Sequence, residues 1–209
     1  MNTKYINHFF SLKASQDLLP FFTGCKKNAA KEITESFGAY HNVLEKIGPI
    51  DENWVVVSVG DGKRPRTGSV FRFLTRAASV ISIDPELDTN WFCKDLWEIY
   101  KVCPRDFFVI QNKVEEILDN SLVEFQSKIK DKNLLILGVH SHARISDSIK
   151  TLAKGAKSVS ILWMPCCSQV ESQYLNKGFV EKCEFFTTYR DPEIWSAKNQ
   201  VYIWKNIPV

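Results

Sequence analysis

The stretch from Trp54 to Asp84 constrains the fold more than any other part of the 209-residue chain. An apolar segment at 54–59 leads through a glycine-bearing loop at 60–68 into a helical pattern, and a second apolar segment ends at Asp84. The order strand, loop, helix, strand, acid is typical of the mononucleotide-binding half of a Rossmann-like sheet. The sequence therefore predicts a nucleoside-binding site at this loop.

The residue types in the loop suit a nucleoside ligand. Gly60 and Gly62 would let the backbone approach a ligand closely, and the helix that follows would present unpaired N–H groups. Asp84 comes about 20 residues after Gly62, which is the spacing expected of an acid that binds ribose hydroxyls. A dinucleotide fits less well, because Pro65 stands where the dinucleotide motif has its third glycine.

Strands and helices alternate along the rest of the chain. We predict helices at 27–47, 91–100, 114–129 and 145–153, and strands at 107–110, 134–137 and 158–163. This alternation indicates a parallel sheet. Two further strands, at 184–190 and 200–205, are too close for a crossover helix and predict an antiparallel hairpin. The predicted fold class is α/β: a mostly parallel seven-stranded sheet that ends in a β-hairpin, with helices on both faces.

The sequence divides into two parts. Residues 1–50 form a helical extension whose aromatic pairs, Phe9-Phe10 and Phe21-Phe22, would pack on the domain or on a protein partner. Residues 51–209 form the Rossmann-like domain. The first predicted helix would pack against this domain, with a lid as the alternative role.

Composition excludes some classes of protein. A net charge of +3 with 24% charged residues gives no polyelectrolyte signal. We expect no signal peptide, because the N-terminus lacks a charged start followed by a long apolar run. We also expect no membrane span, because no window reaches about 18 uninterrupted apolar residues. The six cysteines lack Cys-x-x-Cys spacing, so we expect reduced thiols in a cytoplasmic protein and no metal site.

The order of elements over residues 54–205 resembles the class I (Rossmann-like) S-adenosylmethionine-dependent methyltransferases, as a divergent member. The VGDG segment corresponds to the glycine motif of that superfamily, and Asp84 corresponds to its acid after the second strand. The resemblance implies S-adenosylmethionine as cofactor, with its ribose on Asp84. It also implies a set of further cofactor-binding residues at the methionyl end, beside the adenine and after the fourth strand: Gly60, Asp61, Gly62, Gln111, Asn112, Lys113 and Val139.

Candidate residues for the chemistry follow the fourth and fifth strands. As a neutral imidazole, His140 could remove a proton from an acceptor, although a histidine there could equally cap the next helix. His142 is a second candidate at the acceptor. Cys166 or Cys167 could supply a nucleophile, the alternative being a small buried hydrophobe.

Substrate contacts are expected from the basic part of the loop. Lys63, Arg64 and Arg66 could bind phosphate, or they could be solubilising charges. Base stacking or core packing are the two roles open to Trp91, Trp163 and Trp195.

These observations predict a methyltransferase that acts on RNA or another anionic acceptor. One alternative is a catalytically inactive methyltransferase-like domain that serves as a binding or scaffold module in a larger assembly. Another alternative is a nucleotide-dependent oxidoreductase.

Overall fold

The computed structural model describes residues 3–23, 28–101, 105–117, 125–166 and 183–207. Three helices precede the sheet: α1 (Lys4–Ser11), α2 (Ser15–Phe22) and α3 (Ala29–Lys46). The next elements are β1 (Trp54–Val59), α4 (Arg66–Leu74), β2 (Ser79–Ile83), a π-helical turn (Trp91–Asp95), α5 (Leu96–Tyr100), β3 (Phe107–Ile110) and a 3-10 turn (Val114–Glu116). The remaining elements are α6 (125–129), β4 (Asn133–Val139), α7 (Ile145–Leu152), β5 (Ser158–Met164), β6 (Phe185–Arg190) and β7 (Gln200–Ile207).

The seven strands form one sheet in the order β3-β2-β1-β4-β5-β7-β6. Strands β1 to β5 pair in parallel, while β7 pairs antiparallel with both β5 and β6. The strand order reverses between β1 and β4, so the carboxyl ends of these two strands border a topological switch point. The predicted seven-stranded sheet with a terminal hairpin is confirmed.

Both faces of the sheet are covered by helices. Val56 belongs to the core beneath α1 to α4, whereas its neighbours Val55 and Val57 belong to the core beneath α6 and α7. Strands covered on both faces read as continuous apolar runs, which explains why β1 shows no alternation in sequence. Within the described part of the chain, no helix is both long and apolar enough to cross a membrane.

The N-terminal helices are part of the same core. Tyr5, Phe9, Phe21 and Phe22 are at most 1% exposed and belong to one cluster with the sheet residues. Of the two aromatic pairs, Phe10 alone is exposed, at 69%. The aromatic residues of the extension therefore pack mainly on their own domain.

The prediction of one helix over 114–129 is wrong in its first part. Val114–Glu116 is a single 3-10 turn, and the backbone at Ile117 is extended. The Asn112 side chain donates to the Glu116 carbonyl at 3.0 Å and accepts from the Lys113 amide at 2.8 Å. Such side-chain bonds to nearby backbone compete with helix formation.

A buried carboxylate connects the extension to the hairpin. Asp191 is 4% exposed and accepts hydrogen bonds at Oδ2 from the Tyr5 hydroxyl, at 2.5 Å, and from Asn42 Nδ2, at 2.8 Å. The Glu193 amide donates to its other oxygen at 3.0 Å. Burial and the bond to Asp191 both raise the pKa of Tyr5 well above its ordinary value. Helices α1 and α3 are thus held to the loop between β6 and β7.

Tyr5→Phe should lower the free energy of unfolding by about 1.5–3 kcal/mol, because it removes a hydrogen bond to a charged, buried acceptor. Urea denaturation measures the change. Tyr40→Phe is the matched control, since the Tyr40 hydroxyl donates only to the neutral Leu74 carbonyl, at 3.3 Å. That control should lose about 1 kcal/mol or less, and equal losses in the two variants would contradict the assignment.

Candidate functional site

A cavity of about 570 Å³ opens at the carboxyl edge of the parallel strands. It lies at the switch point between β1 and β4, where open α/β sheets bind their ligands. Its volume is in the range of roughly 300–1,000 Å³ typical of small-molecule sites. The loops after β1, β2, β3 and β4 line it, and α3 contributes one wall.

The glycine loop has the backbone conformation that glycine permits. Gly60 and Gly62 both line the cavity with left-handed φ angles of 74° and 77°. At Gly60 there is also no room for a side chain, because a Cβ would lie 2.3 Å from the Ser141 hydroxyl oxygen. The loop after β1 is therefore packed directly against the loop after β4, and its backbone is accessible from the cavity.

The Asp61 carboxylate is used by the loop itself. It accepts hydrogen bonds from the Thr67 amide at 2.8 Å, the Gly68 amide at 2.9 Å and the Ser82 hydroxyl at 2.8 Å. Burial raises the pKa of Asp61, and these three bonds oppose the increase. The side chain caps α4 and ties it to β2, so its role is to shape the predicted methionyl end of the site.

Asp84 lies at the tip of β2 and faces the same cavity. Its Oδ2 accepts from the Gly62 amide at 2.9 Å, and its Oδ1 accepts from the Glu86 amide at 2.7 Å. A carboxylate has about four acceptor positions, so about two remain for a ligand. The structure thus brings together the predicted ribose acid and the predicted glycine loop.

The four other predicted cofactor-binding residues follow β3 or end β4, and three of them line the cavity. Asn112, Lys113 and Val139 line the cavity. Gln111 is exposed and does not line it. Of the three residues expected beside an adenine, two thus line the cavity.

His140 is the first residue after β4 and lines the cavity. Its Nε2 lies 2.8 Å from Glu35 Oε1, and Lys31 Nζ lies 2.7 Å from the same oxygen. Burial alone would raise the pKa of Glu35, but the contacts with His140 and Lys31 outweigh it and hold the pKa below its ordinary value. The histidine predicted as a base therefore has a carboxylate partner.

Helix α3 also contributes to the site, which the sequence did not predict. Lys31, Glu32, Glu35 and Ser36 all line the cavity from this helix, which the apolar periodicity had assigned to packing. The Lys31–Glu35 spacing of an i, i+4 ion pair is visible in the sequence. Nothing in the neighbouring sequence shows, however, that the polar side of α3 lies at the switch point.

The three basic residues of the glycine loop, Lys63, Arg64 and Arg66, do not form one binding surface, because only Arg66 lines the cavity. The Arg64 guanidinium donates to the Pro20 carbonyl at 2.8 Å and to the Thr23 carbonyl, and it lies 4.4 Å from the Trp91 ring centroid. Arg64 thus holds the end of α2, and its predicted phosphate contact would compete with these carbonyl oxygens. Lys63, with a side chain 70% exposed, also lies outside the cavity lining, 3.6 Å from Asp88.

Arg66 does line the cavity, but it is paired. Its Nη1 lies 3.1 Å from Glu32 Oε2, and its side chain is 17% exposed. Its predicted phosphate contact would therefore compete with the Glu32 carboxylate.

His142 and Cys166 lie together at the ends of β4 and β5. His142 Nε2 is 3.2 Å from Cys166 Sγ, and the histidine alone of the two lines the cavity. Cys167 lies outside the described residues. Trp91 and Trp163 are buried in the core. Among the residues placed in the structure, no cluster of three or more His, Cys, Asp or Glu side chains could hold a metal ion.

Known proteins resemble this chain in structure. No protein-family model matches it, and neither does any curated protein. A chain from the complex between the Haloferax volcanii Trm112 methyltransferase activator and a methyltransferase superposes with a TM-score of 0.51 at 10% identity, over 83% of this chain and 91% of that chain.

Two further structures match less closely. A mutant of the 16S rRNA (adenine(1408)-N(1))-methyltransferase from Catenulisporales acidiphilia has a TM-score of 0.47 at 11% identity, over 82% of this chain and 91% of that one. Magnesium protoporphyrin IX methyltransferase from Synechocystis PCC 6803 with bound SAH has a TM-score of 0.47 at 9% identity, over 95% of this chain and 96% of that chain.

The strand order and the superposition on the Haloferax chain agree on the fold. In this chain the sheet runs in the order β3-β2-β1-β4-β5 and is closed by the β6–β7 hairpin, and the Haloferax chain superposes over most of both chains. The chain has the fold of the class I (Rossmann-like) S-adenosylmethionine-dependent methyltransferases.

Glu35→Gln should destabilise the protein by about 1–3 kcal/mol at neutral pH, because it leaves His140 and Lys31 without their carboxylate. The lowered folded pKa means that this stabilisation is complete above the ordinary glutamate pKa and is lost as the pH falls through the folded value. Urea denaturation of both proteins across this pH range measures the difference, which should shrink in acid. Glu98→Gln, at an exposed position, is the control. A difference that is constant with pH would contradict the ion pair.

Proposed function

We propose that this chain is a methyltransferase that uses S-adenosylmethionine. The observation that carries the proposal is the bond from the Gly62 amide to Asp84 Oδ2, which joins the glycine loop to the acid inside one cavity. Placed at the switch point of this fold, that pair suits a nucleoside ligand.

The residues present fit this cofactor. The remaining acceptor positions of Asp84 would bind the ribose hydroxyls, and the exposed backbone of Gly60 and Gly62 would receive the methionyl end. Asn112, Lys113 and Val139 would surround the adenine. When bound, the cofactor supplies an electrophilic methyl group.

The chain's own task is then to orient an acceptor. Methyl transfer is a direct displacement, which depends mainly on proximity and alignment. RNA or another anionic acceptor is the hypothesis taken from the sequence. Lys63 supports it as an exposed cation on the glycine loop, while the pairing of Arg64 and Arg66 reduces the basic surface.

A second candidate function is a binding or scaffold domain without turnover. It is favoured by three exposed phenylalanine side chains, Phe10 on α1 and Phe185 and Phe186 at the start of the edge strand β6. These side chains are available to a protein partner. The oxidoreductase alternative is disfavoured, because an antiparallel strand, β7, lies beside β5 where the second mononucleotide-binding half has its last parallel strand.

Asp84→Asn should weaken S-adenosylmethionine binding by roughly ten- to a hundredfold, since a hydrogen bond to a charged group contributes about 1.5–3 kcal/mol. Isothermal titration calorimetry gives Kd, with NADH as the comparison ligand. Asp88→Asn is the matched control, because this carboxylate lies near Lys63 and outside the cavity lining. Tighter binding of NADH, or equal Kd values for the two variants, would contradict the proposed site.

Incubation with methyl-labelled S-adenosylmethionine separates the enzyme from the scaffold. Pools of RNA, protein and small molecules serve as acceptors in parallel. The proposal expects label in at least one pool, and most directly in RNA. Cofactor binding without label in any pool would favour the scaffold function.

A further inference from the structure

A cluster of three charged or titratable side chains lies in the cavity wall and is not needed to hold the cofactor. Glu35 Oε1 is 2.8 Å from His140 Nε2 and 2.7 Å from Lys31 Nζ. Glu35 is 3% exposed, and the His140 side chain is 18% exposed. The carboxylate is thus the most enclosed of the three, although all three side chains line the cavity.

The backbone at His140 is in an unusual conformation. Its φ of 53° is in the left-handed region, which residues other than glycine seldom adopt. Its amide donates to the Met164 carbonyl at 2.7 Å, which continues the pairing of β4 with β5. Such conformations persist where the surroundings over-determine them, and they concentrate at functional sites.

The contact with Glu35 specifies which ring nitrogen carries a hydrogen. An ionised carboxylate only accepts hydrogen bonds, and the pKa of Glu35 is below its ordinary value. A ring nitrogen that presented its lone pair to this oxygen at 2.8 Å would be repelled, so Nε2 carries the hydrogen, although the two groups are not aligned as a regular hydrogen bond. In the neutral ring, Nδ1 then keeps its lone pair.

We propose that Glu35 is a positioning residue which holds His140 as the general base toward the methyl acceptor. This inference rests on the proposed methyltransferase function. The acceptor atom forms a bond to the methyl carbon, and the sulfur–methyl bond breaks with its electron pair passing to sulfur. The proton of the acceptor passes to His140 Nδ1, and Glu35 stabilises the resulting imidazolium. Water then takes this proton.

The pair of Glu35 and His140 limits the chemical class of the acceptor. A base is useful when the attacking group must lose a proton, as a hydroxyl or an amine does. A carboxylate or a thiolate needs no such base. The acceptor is therefore a molecule with a reactive hydroxyl or amine group.

Nitrogen-15 NMR of histidine side chains tests the tautomer without any acceptor. At about pH 8, above the ordinary histidine pKa, the His140 ring should carry its hydrogen on Nε2, with His140→Gln identifying the signal. Glu35→Ala should convert it to a mixture of tautomers, and Glu35→Gln replaces that variant if it does not fold. Glu32→Ala, which removes the neighbouring carboxylate paired with Arg66, should leave the signal unchanged. An Nδ1–H or doubly protonated ring in the wild type would overturn the proposal.

Methyl transfer into the acceptor pool then tests the role. His140→Gln should lower kcat by about 10²–10⁴-fold and Glu35→Gln by roughly tenfold, with the Kd for S-adenosylmethionine within about twofold of the wild type. Unchanged kcat in His140→Gln, with the cofactor still bound, would overturn the assignment of His140 as general base but not the proposed function. Failure of the wild type to bind S-adenosylmethionine would instead overturn the proposed function.

Discussion

The site depends on the Asp61 carboxylate, which lines the cavity and is bonded to the protein itself. Asp61 accepts hydrogen bonds from two amides at the start of α4 and from Ser82 on β2. These contacts fix the turn between β1 and α4 and hold it beside the tip of β2. The left-handed glycines on either side of Asp61, and the acid at the end of β2, then face the same cavity. Enclosing a carboxylate is costly unless its oxygens are satisfied, and here three donors satisfy them.

Those parts of the fold and site that arise from short-range pattern could be predicted from the sequence. The apolar runs, the glycine loop and Asp84 lie within one βαβ unit, so their spacing alone places them at one sheet edge. The terminal hairpin follows from a connection too short for a crossover. The distribution of the basic loop residues could not be predicted, because Arg64 turns to carbonyls more than 40 residues earlier in the chain, at Pro20 and Thr23.

The role of helix α3 could be predicted from the sequence only in part. Its apolar residues predicted a packing helix, and the structure confirms that Ile33 and Phe37 are buried. Its polar residues Glu32 and Glu35 line the cavity because α3 packs against β4, β5 and α4, and these contacts join parts of the chain that are distant in sequence. The N-terminal helices share that core, so the extension and the cavity wall form one structural unit. Changes in residues 3–23 would reach the site through α3 and, at Pro20 and Thr23, through Arg64 on the glycine loop.

The most direct test of this account is a crystal structure of the protein with S-adenosylmethionine. The account predicts electron density for the cofactor at the switch point, with both ribose hydroxyls on the Asp84 carboxylate and the methionyl group against the backbone of Gly60 and Gly62. An empty cavity at saturating cofactor, or a cofactor bound elsewhere with Asp84 still engaged only by the Gly62 and Glu86 amides, would contradict it.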